Sequence, residues 1–225
     1  DFNHSKFIVC TDAGLSSIAN RKFNNIGDRA FITTQSIKKL KKYLKDWVFQ
    51  EDNWLKVGDG SKRKYNKSDI DQANDINATY YKERWVNEND LEQRLIITYS
   101  LKYKLYQENI RNGQLTRAEN KIKSGSRIKK TKNQNDPRRF ITEQNITPEG
   151  ELASDTIYGI NYDLVDKEKL YDGLYGVCTN LEDDVSYINK VNHGRWEIEE
   201  SFRLMKSEFE ARPVYVSKDD TIKGH

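Results

Sequence analysis

The sequence predicts an α/β protein whose chain opens with a parallel strand pair. The segment "KFIVCTDA" at 6–13 is short, apolar and β-branched, as expected of a buried strand. A helix is predicted at 17–26, with a serine as its N-cap and Gly27 as its C-terminal stop. A second strand, "RAFITTQ", follows at 29–35. Strand, helix and strand in this order form a βαβ unit with a right-handed crossover.

The following segment, 36–49, predicts an amphipathic helix. Five lysines occupy one face, which we interpret as solvated, and the opposite face is apolar. Its apolar positions are Ile37, Leu40, Leu44, Trp47 and Val48. Further elements are predicted as strands at 94–100, 138–146, 155–163 and 174–181, and as helices at 101–123, 182–194 and 195–212, the last two meeting at Gly194.

A change of pattern at residue 50 indicates the domain organisation. The segment after it is polar and rich in turn residues, unlike the compact βαβ unit before it. The apolar strand pattern of the opening returns at 174. We therefore assign 1–49 and 174–225 to one α/β core and 50–173 to a large insertion.

Composition limits the classes of function. The chain has 225 residues, of which 32% are charged and 36% hydrophobic, which indicates a folded chain with a highly charged surface. No apolar stretch is long enough for a membrane span, and no signal peptide is visible. Cys10 and Cys178 each lie in a strand-like "VCT", which predicts free core thiols in a reducing compartment. We expect a cytoplasmic protein.

The helix at 195–210 places one carboxylate between two cations. At 100° per residue, Arg195, Glu199 and Lys206 lie side by side. They flank a stripe predicted to be buried, formed by Ile198, Phe202, Met205 and Phe209. A simpler interpretation is a solvated Arg–Glu pair at i,i+4. Likewise Asp12, at the end of a strand and two residues before a glycine, is typical of a turn or a helix cap as well as of a catalyst.

Several stretches together resemble one family. The spacing of Arg195, Glu199 and Lys206 in "RWEIEESFRLMK" resembles the C-terminal signature of the DDE transposases of bacterial insertion sequences, family four and its relatives. "VCTDAGLSS" resembles the strand that carries the second catalytic Asp of that family. "YDGLYGVCTNL", "INKVNHGRWEIEESFRLMKSEFEARPVYV" and "TYSLKYKLYQENIRNGQLTRA" are similar to other parts of the same enzymes. The resemblance covers nearly the whole chain.

The resemblance implies a ribonuclease-H-like fold, a mixed sheet with a large insertion, incomplete at its N-terminus. Asp12 would end the fourth strand, and Glu199 would lie on a helix after the insertion. The first catalytic Asp would lie upstream of Asp1, so we expect the 225 residues alone to be poorly stable and inactive. The signature also has a Tyr where this chain has Asn192.

The implied reaction is Mg²⁺-dependent DNA strand cleavage followed by strand transfer. Two Mg²⁺ ions about 3.5–4 Å apart can clamp the attacking and leaving oxygens, and Mg²⁺ prefers oxygen ligands. Asp12 and Glu199 would be the catalytic metal ligands, with Mn²⁺ able to substitute for Mg²⁺. The DNA-binding residues would be Arg195, Trp196, Arg203 and Lys206. The partners would be double-stranded transposon ends and target DNA, bound by a homodimer associated with the nucleoid and not with a membrane.

Some alternatives remain open at this stage. Trp196 stacks on an extruded base or is an ordinary core or surface residue. The tract 120–139, with eight Lys or Arg and one Asp, is either a phosphate-binding strip or a solvated loop. The rival functions are a non-catalytic DNA-binding remnant and a metal-dependent nuclease of the same fold. A glycosidase with two carboxylates is disfavoured because cations flank the Glu.

Overall fold

The computed structural model describes residues 7–125, 128–129, 131, 133–146 and 152–208. The chain is mixed α/β and divides into two compact units. We call them the terminal unit, which runs to Thr33 and resumes at Thr179, and the middle unit, Thr34–Cys178. Within the described ranges, no helix combines the length and apolarity that crossing a membrane requires. The predicted domain boundaries at 50 and 174 stay a prediction, since compactness does not identify an insertion.

The described residues form nine strands and six α-helices. In chain order they are β1 Phe7–Thr11, α1 Ile18–Phe23, β2 Arg29–Thr34, α2 Lys42–Phe49, β3 Trp54–Lys56, β4 Lys64–Tyr65, α3 Gln72–Asp75, β5 Thr79–Glu88, β6 Leu91–Ser100, α4 Leu101–Lys123, β7 Ile141–Ile146, β8 Leu152–Ile160, α5 Tyr162–Lys169, β9 Leu174–Thr179 and α6 Val185–Ser207. Hydrogen bonding joins seven strands in the order β1-β2-β9-β6-β5-β3-β4. Strands β7 and β8 form a second sheet.

The terminal unit contains the predicted parallel pair. β1 and β2 run parallel, with Cys10 opposite Ile32, and α1 connects them. The Ser17 hydroxyl caps α1 by accepting a hydrogen bond from the Asn20 N–H at 3.2 Å. Gly27 has a φ of +63°, which reverses the chain after the helix. The parallel pair with its connecting helix is therefore confirmed.

Helix α6 differs from its prediction in two ways. It is continuous from Val185 to Ser207, so the expected break at Gly194 is wrong. One interior glycine costs a helix only about 1 kcal/mol, which the rest of a long helix tolerates. The predicted buried stripe is also wrong, because Ile198, Phe202 and Met205 are about half exposed, while Phe209 lies outside the described residues.

The middle unit is built on an antiparallel hairpin. β5 and β6 pair over their full length, and the turn between them has positive φ at Asn89 and Asp90, as a two-residue hairpin turn requires. The seven-stranded sheet is consequently mostly antiparallel, since β3 also pairs antiparallel with β4 and β5. Its central strand β6 is buried along most of its length, including Leu95, Ile96 and Ile97.

A second core lies in the same unit beside α4. β7 and β8, which lie within or near two predicted strands, pair antiparallel, and α4 has the predicted bounds. The Ser100 hydroxyl caps α4 by accepting from the Tyr103 N–H at 3.4 Å. Ala118, Phe140, Ile141 and Val165 form the buried cluster. This cluster holds one side of α4 in place.

Candidate active site

Asp12 lies directly after β1, and its carboxylate caps a short turn of 3₁₀ helix. Its Oδ1 accepts hydrogen bonds from the N–H groups of Gly14 at 2.9 Å and Leu15 at 3.1 Å. The capping role considered from the sequence is therefore present. It does not use the whole carboxylate, because Oδ2 accepts no hydrogen bond within the described part of the chain. Asp12 is exposed, so this oxygen is accessible to a ligand.

Arg195 and Glu199 form the predicted ion pair on α6. The Arg195 Nη1 lies 3.3 Å from the Glu199 Oε1. The Arg195 side chain is only 13% exposed, whereas that of Glu199 is 46% exposed. The pair thus has a buried cation and an accessible carboxylate. The second oxygen of Glu199 has no partner among the described residues.

Arg195 also lies beside β1. Helix α6 packs against β1, and the positive charge of Arg195 acts on the thiol of Cys10. Burial raises the pKa of that thiol, and the charge of Arg195 opposes the effect. Asp12 has an extended backbone, with φ −77° and ψ 179°, so it continues the alternation of the strand. Residues two apart in an extended chain share a face, so the side chains of Cys10 and Asp12 project from the same face of the chain.

The other predicted DNA-binding residues have mixed positions. Arg203 is 72% exposed and pairs with Glu200 one turn away on α6, which raises the pKa of its guanidinium through a hydrogen bond. Trp196 and Lys206 lie within α6, but their side chains are outside the described part of the structure. Asn192, which stands in place of the signature Tyr, is buried.

The donor chemistry of Asp12 and Glu199 fits Mg²⁺. Both are carboxylates, and each keeps one oxygen uncommitted, which is the ligand type that a hard cation prefers. Within the described ranges, no group of three or more His, Cys, Asp or Glu side chains is placed to hold a metal.

The basic tract 120–139 is not a uniform strip. Arg138 pairs with Asp136, and Arg139 pairs with Glu168 and donates to Gln114. These two cations are committed within the protein. Arg127, Lys130 and Lys132 lie outside the described residues.

Two features of interest were not predicted from the sequence. The first is Gly14, where an added Cβ would lie 3.2 Å from the Asp12 Oδ1. The second is a cleft in the middle unit lined by Tyr103 and Tyr106. These tyrosines are three residues apart on a predicted helix, so they lie on the same face of it. This shared aromatic face is the feature of the sequence from which the cleft could have been predicted.

No protein-family model matches the chain, and no curated protein or solved structure matches it significantly. Its function is therefore inferred from its own residues and their geometry.

Proposed function

We propose that this chain belongs to a DDE-type DNA transposase that cleaves DNA strands and transfers them in a Mg²⁺-dependent reaction. One observation carries the proposal. Helix α6, which carries the Arg195–Glu199 pair, packs against β1, the strand that directly precedes Asp12, and the charge of Arg195 acts on Cys10 of that strand. Two acids that are 187 positions apart in the sequence thus belong to elements that pack together.

The architecture supports a ribonuclease-H-like arrangement of the terminal unit. Such a fold needs a strand that presents a carboxylate at its end, a parallel neighbour, and a helix that brings the last acid. β1, β2 and α6 provide these three parts. The long, mostly antiparallel middle unit is compatible with an insertion between them.

Each side chain has a distinct role in this proposal. Asp12 and Glu199 would hold Mg²⁺, which when bound stabilises the charge on the attacking and leaving oxygens of the phosphodiester. The capping hydrogen bonds from Gly14 and Leu15 fix the orientation of Asp12. Arg195 orients Glu199 and adds positive potential for a DNA phosphate. Arg203, on the exposed side of α6, is available to phosphate if it leaves Glu200.

The variant Glu199→Gln tests the proposal. The full-length protein is incubated with end-bearing DNA. Glutamine keeps the shape of the side chain but removes the charge that holds Mg²⁺, so cleavage should fall at least 100-fold while circular dichroism and DNA binding stay unchanged. The control is Glu197→Gln, which changes an exposed carboxylate on the same helix. Cleavage by Glu199→Gln at the control's rate would contradict the proposal.

The same assay separates the rival functions. A non-catalytic DNA-binding remnant would bind DNA but cut it in neither Mg²⁺ nor Mn²⁺. A metal-dependent nuclease would cut DNA without joining the freed 3′ end to a target. Either result, obtained with a folded wild-type protein, would replace the transposase proposal.

A further inference from the structure

A cleft of about 300 Å³ opens in the middle unit, separate from the candidate catalytic residues. One wall is a single face of α4, where lining residues recur every three or four positions. The opposite wall comes from the turn at 37–39, the turn at 137–140 and the segment after α5. Its volume lies at the lower end of the range of about 300–1,000 Å³ that is typical of ligand clefts. It suits one unit of a polymer and not a double helix.

Three tyrosines are among the described residues that line the cleft. The rings of Tyr103 and Tyr106 are nearly parallel, with an interplanar angle of 18° and centroids 6.3 Å apart. Tyr106 is 60% exposed, so its ring is accessible to a ligand. Tyr171 lines the opposite wall. Exposed, parallel aromatic rings are suited to stacking against a planar group.

Among the described residues of the cleft, positive charges exceed negative charges by one. Three cations and two carboxylates of this part of the chain line it. Arg111 donates two hydrogen bonds to the buried Asp172, at 2.7 and 2.5 Å, and Arg139 pairs with Glu168. Lys38 is the remaining cation: its ammonium is 4.0 Å from Glu168, and its side chain is 48% exposed. The cleft therefore favours a ligand with a single negative charge.

We propose that this cleft binds one unpaired nucleotide of a nucleic-acid strand, with its base against Tyr103 and Tyr106 and its phosphate at Lys38. Each unit of such a strand carries one planar base, which can stack on the two tyrosine rings, and one negative charge, which balances Lys38. A paired base cannot present its face to a side chain, so duplex DNA is excluded from the cleft. The inference goes beyond the proposed chemistry, because the cleft shares no residue with the catalytic set.

The first test titrates the 225-residue protein into a 5′-fluorescein-labelled oligothymidylate of ten nucleotides and measures the fluorescence anisotropy of the label. Loss of one stacked base weakens binding by about 5- to 150-fold, so Tyr106→Ala should raise Kd within that range. Lys38→Ala should reduce the slope of log Kd against log salt by about 0.7, the contribution of one phosphate. The matched controls are Tyr162→Ala and Lys102→Ala, which change exposed residues outside the cleft and should shift Kd less than twofold.

Competition and cross-linking identify the ligand and the place. A ten-base-pair duplex should compete poorly, and thymidine monophosphate should compete only at much higher concentration. Equal affinity for thymidine monophosphate and for the oligonucleotide would assign the cleft to a free nucleotide. It would contradict the proposal that the bound nucleotide is part of a strand. A 5-iodouracil oligonucleotide should cross-link to Tyr103 or Tyr106. Unchanged binding in Tyr106→Ala and Lys38→Ala, or cross-links confined to other peptides, would overturn the proposal.

Discussion

At the scale of single residues, local hydrogen bonds give Asp12 its orientation. An Asp that caps the turn after a strand is common in any α/β protein, so the cap alone does not identify a catalyst. What distinguishes Asp12 is that its second oxygen accepts no hydrogen bond among the described residues and that α6, the helix of the Arg195–Glu199 pair, packs against β1. The capping geometry therefore keeps the carboxylate rigid without consuming it.

Replacement of Gly14 by alanine should disturb this orientation. The new Cβ would lie 3.2 Å from the Asp12 Oδ1, which is closer than ordinary contact, so the carboxylate must shift. We expect Gly14→Ala to lower the cleavage rate at least tenfold while the free energy of unfolding changes by less than about 1 kcal/mol. Rates and urea denaturation are measured together.

Gly113→Ala is the matched control for Gly14→Ala. Gly113 is an exposed residue in the middle of α4, and an added Cβ would meet nothing within 4 Å. It should stabilise the protein by about 0.4–1 kcal/mol through helix propensity and leave cleavage unchanged. An unchanged cleavage rate in Gly14→Ala would show that cleavage does not depend on the position of the Asp12 carboxylate.

Asp136 provides a prediction about pH. Hydrogen bonds from the side chain and backbone of Arg138 lower the pKa of its carboxyl to about 2. Because the folded-state pKa is lowered, the stabilisation is present above the unfolded pKa of about 4 and is lost as the pH falls through about 2. Carbon-13 NMR of the carboxyl should show this titration. In Arg138→Ala the pKa should rise toward the ordinary Asp value, and an unchanged value would contradict the assigned cause.

At the scale of elements, a buried ion pair attaches α4 to the segment after α5. The side chains of Arg111 and Asp172 are 7% and 5% exposed. Removal of one member of such a pair leaves a buried charge without its partner, which is more costly than replacement of both members. The pair therefore fixes how these two elements meet, and with them the cleft.

Asp172→Ala should destabilise the protein by about 3–5 kcal/mol, measured by urea denaturation. The double variant Arg111→Met with Asp172→Leu should recover most of that loss because no isolated charge remains. The exposed pair of Asp166 and Lys169 is the control, and Asp166→Ala should change stability by about 0.5 kcal/mol or less. A small effect of Asp172→Ala would mean that water reaches Arg111.

The same scale shows where the sequence was sufficient for prediction. β1, α1, β2, α4 and the β7–β8 pair follow from local apolar patterns and caps. β5 was missed because Lys82, Glu83 and Arg84 interrupt its pattern. Long-range contacts support these charges: the Lys82 ammonium donates to the Gln50 carbonyl at 2.6 Å, and Glu83 pairs with Arg94 across the hairpin. Such partners are not visible in a local window of sequence.

The helix that carries Glu199 illustrates a further limit. The ion pair of Arg195 and Glu199 was predictable, since i,i+4 spacing is a property of the helix itself. The exposure of the helix's apolar stripe was not predictable from the sequence, because it depends on which other elements surround the helix. The proximity of Arg195 to Cys10 likewise depends on how α6 packs against β1.

At the scale of the whole molecule, the proposed function requires parts from distant regions of the chain. The terminal unit is formed by residues up to 33 together with residues from 179 onward. This discontinuity allows the strand end at Asp12 and the helix of Glu199 to belong to one unit although the middle unit separates them in sequence. The central claim is therefore that Asp12 and Glu199 serve one metal site.

A crystal structure of the full-length protein soaked in Mn²⁺ tests this claim most directly. Anomalous scattering locates the metal without reference to activity. We predict Mn²⁺ peaks in contact with Asp12 and with Glu199, whose carboxyl groups should lie within about 10 Å of each other, the reach of two ions and their ligands. Carboxyl groups on opposite faces of the sheet, or Mn²⁺ bound to neither residue, would contradict the account.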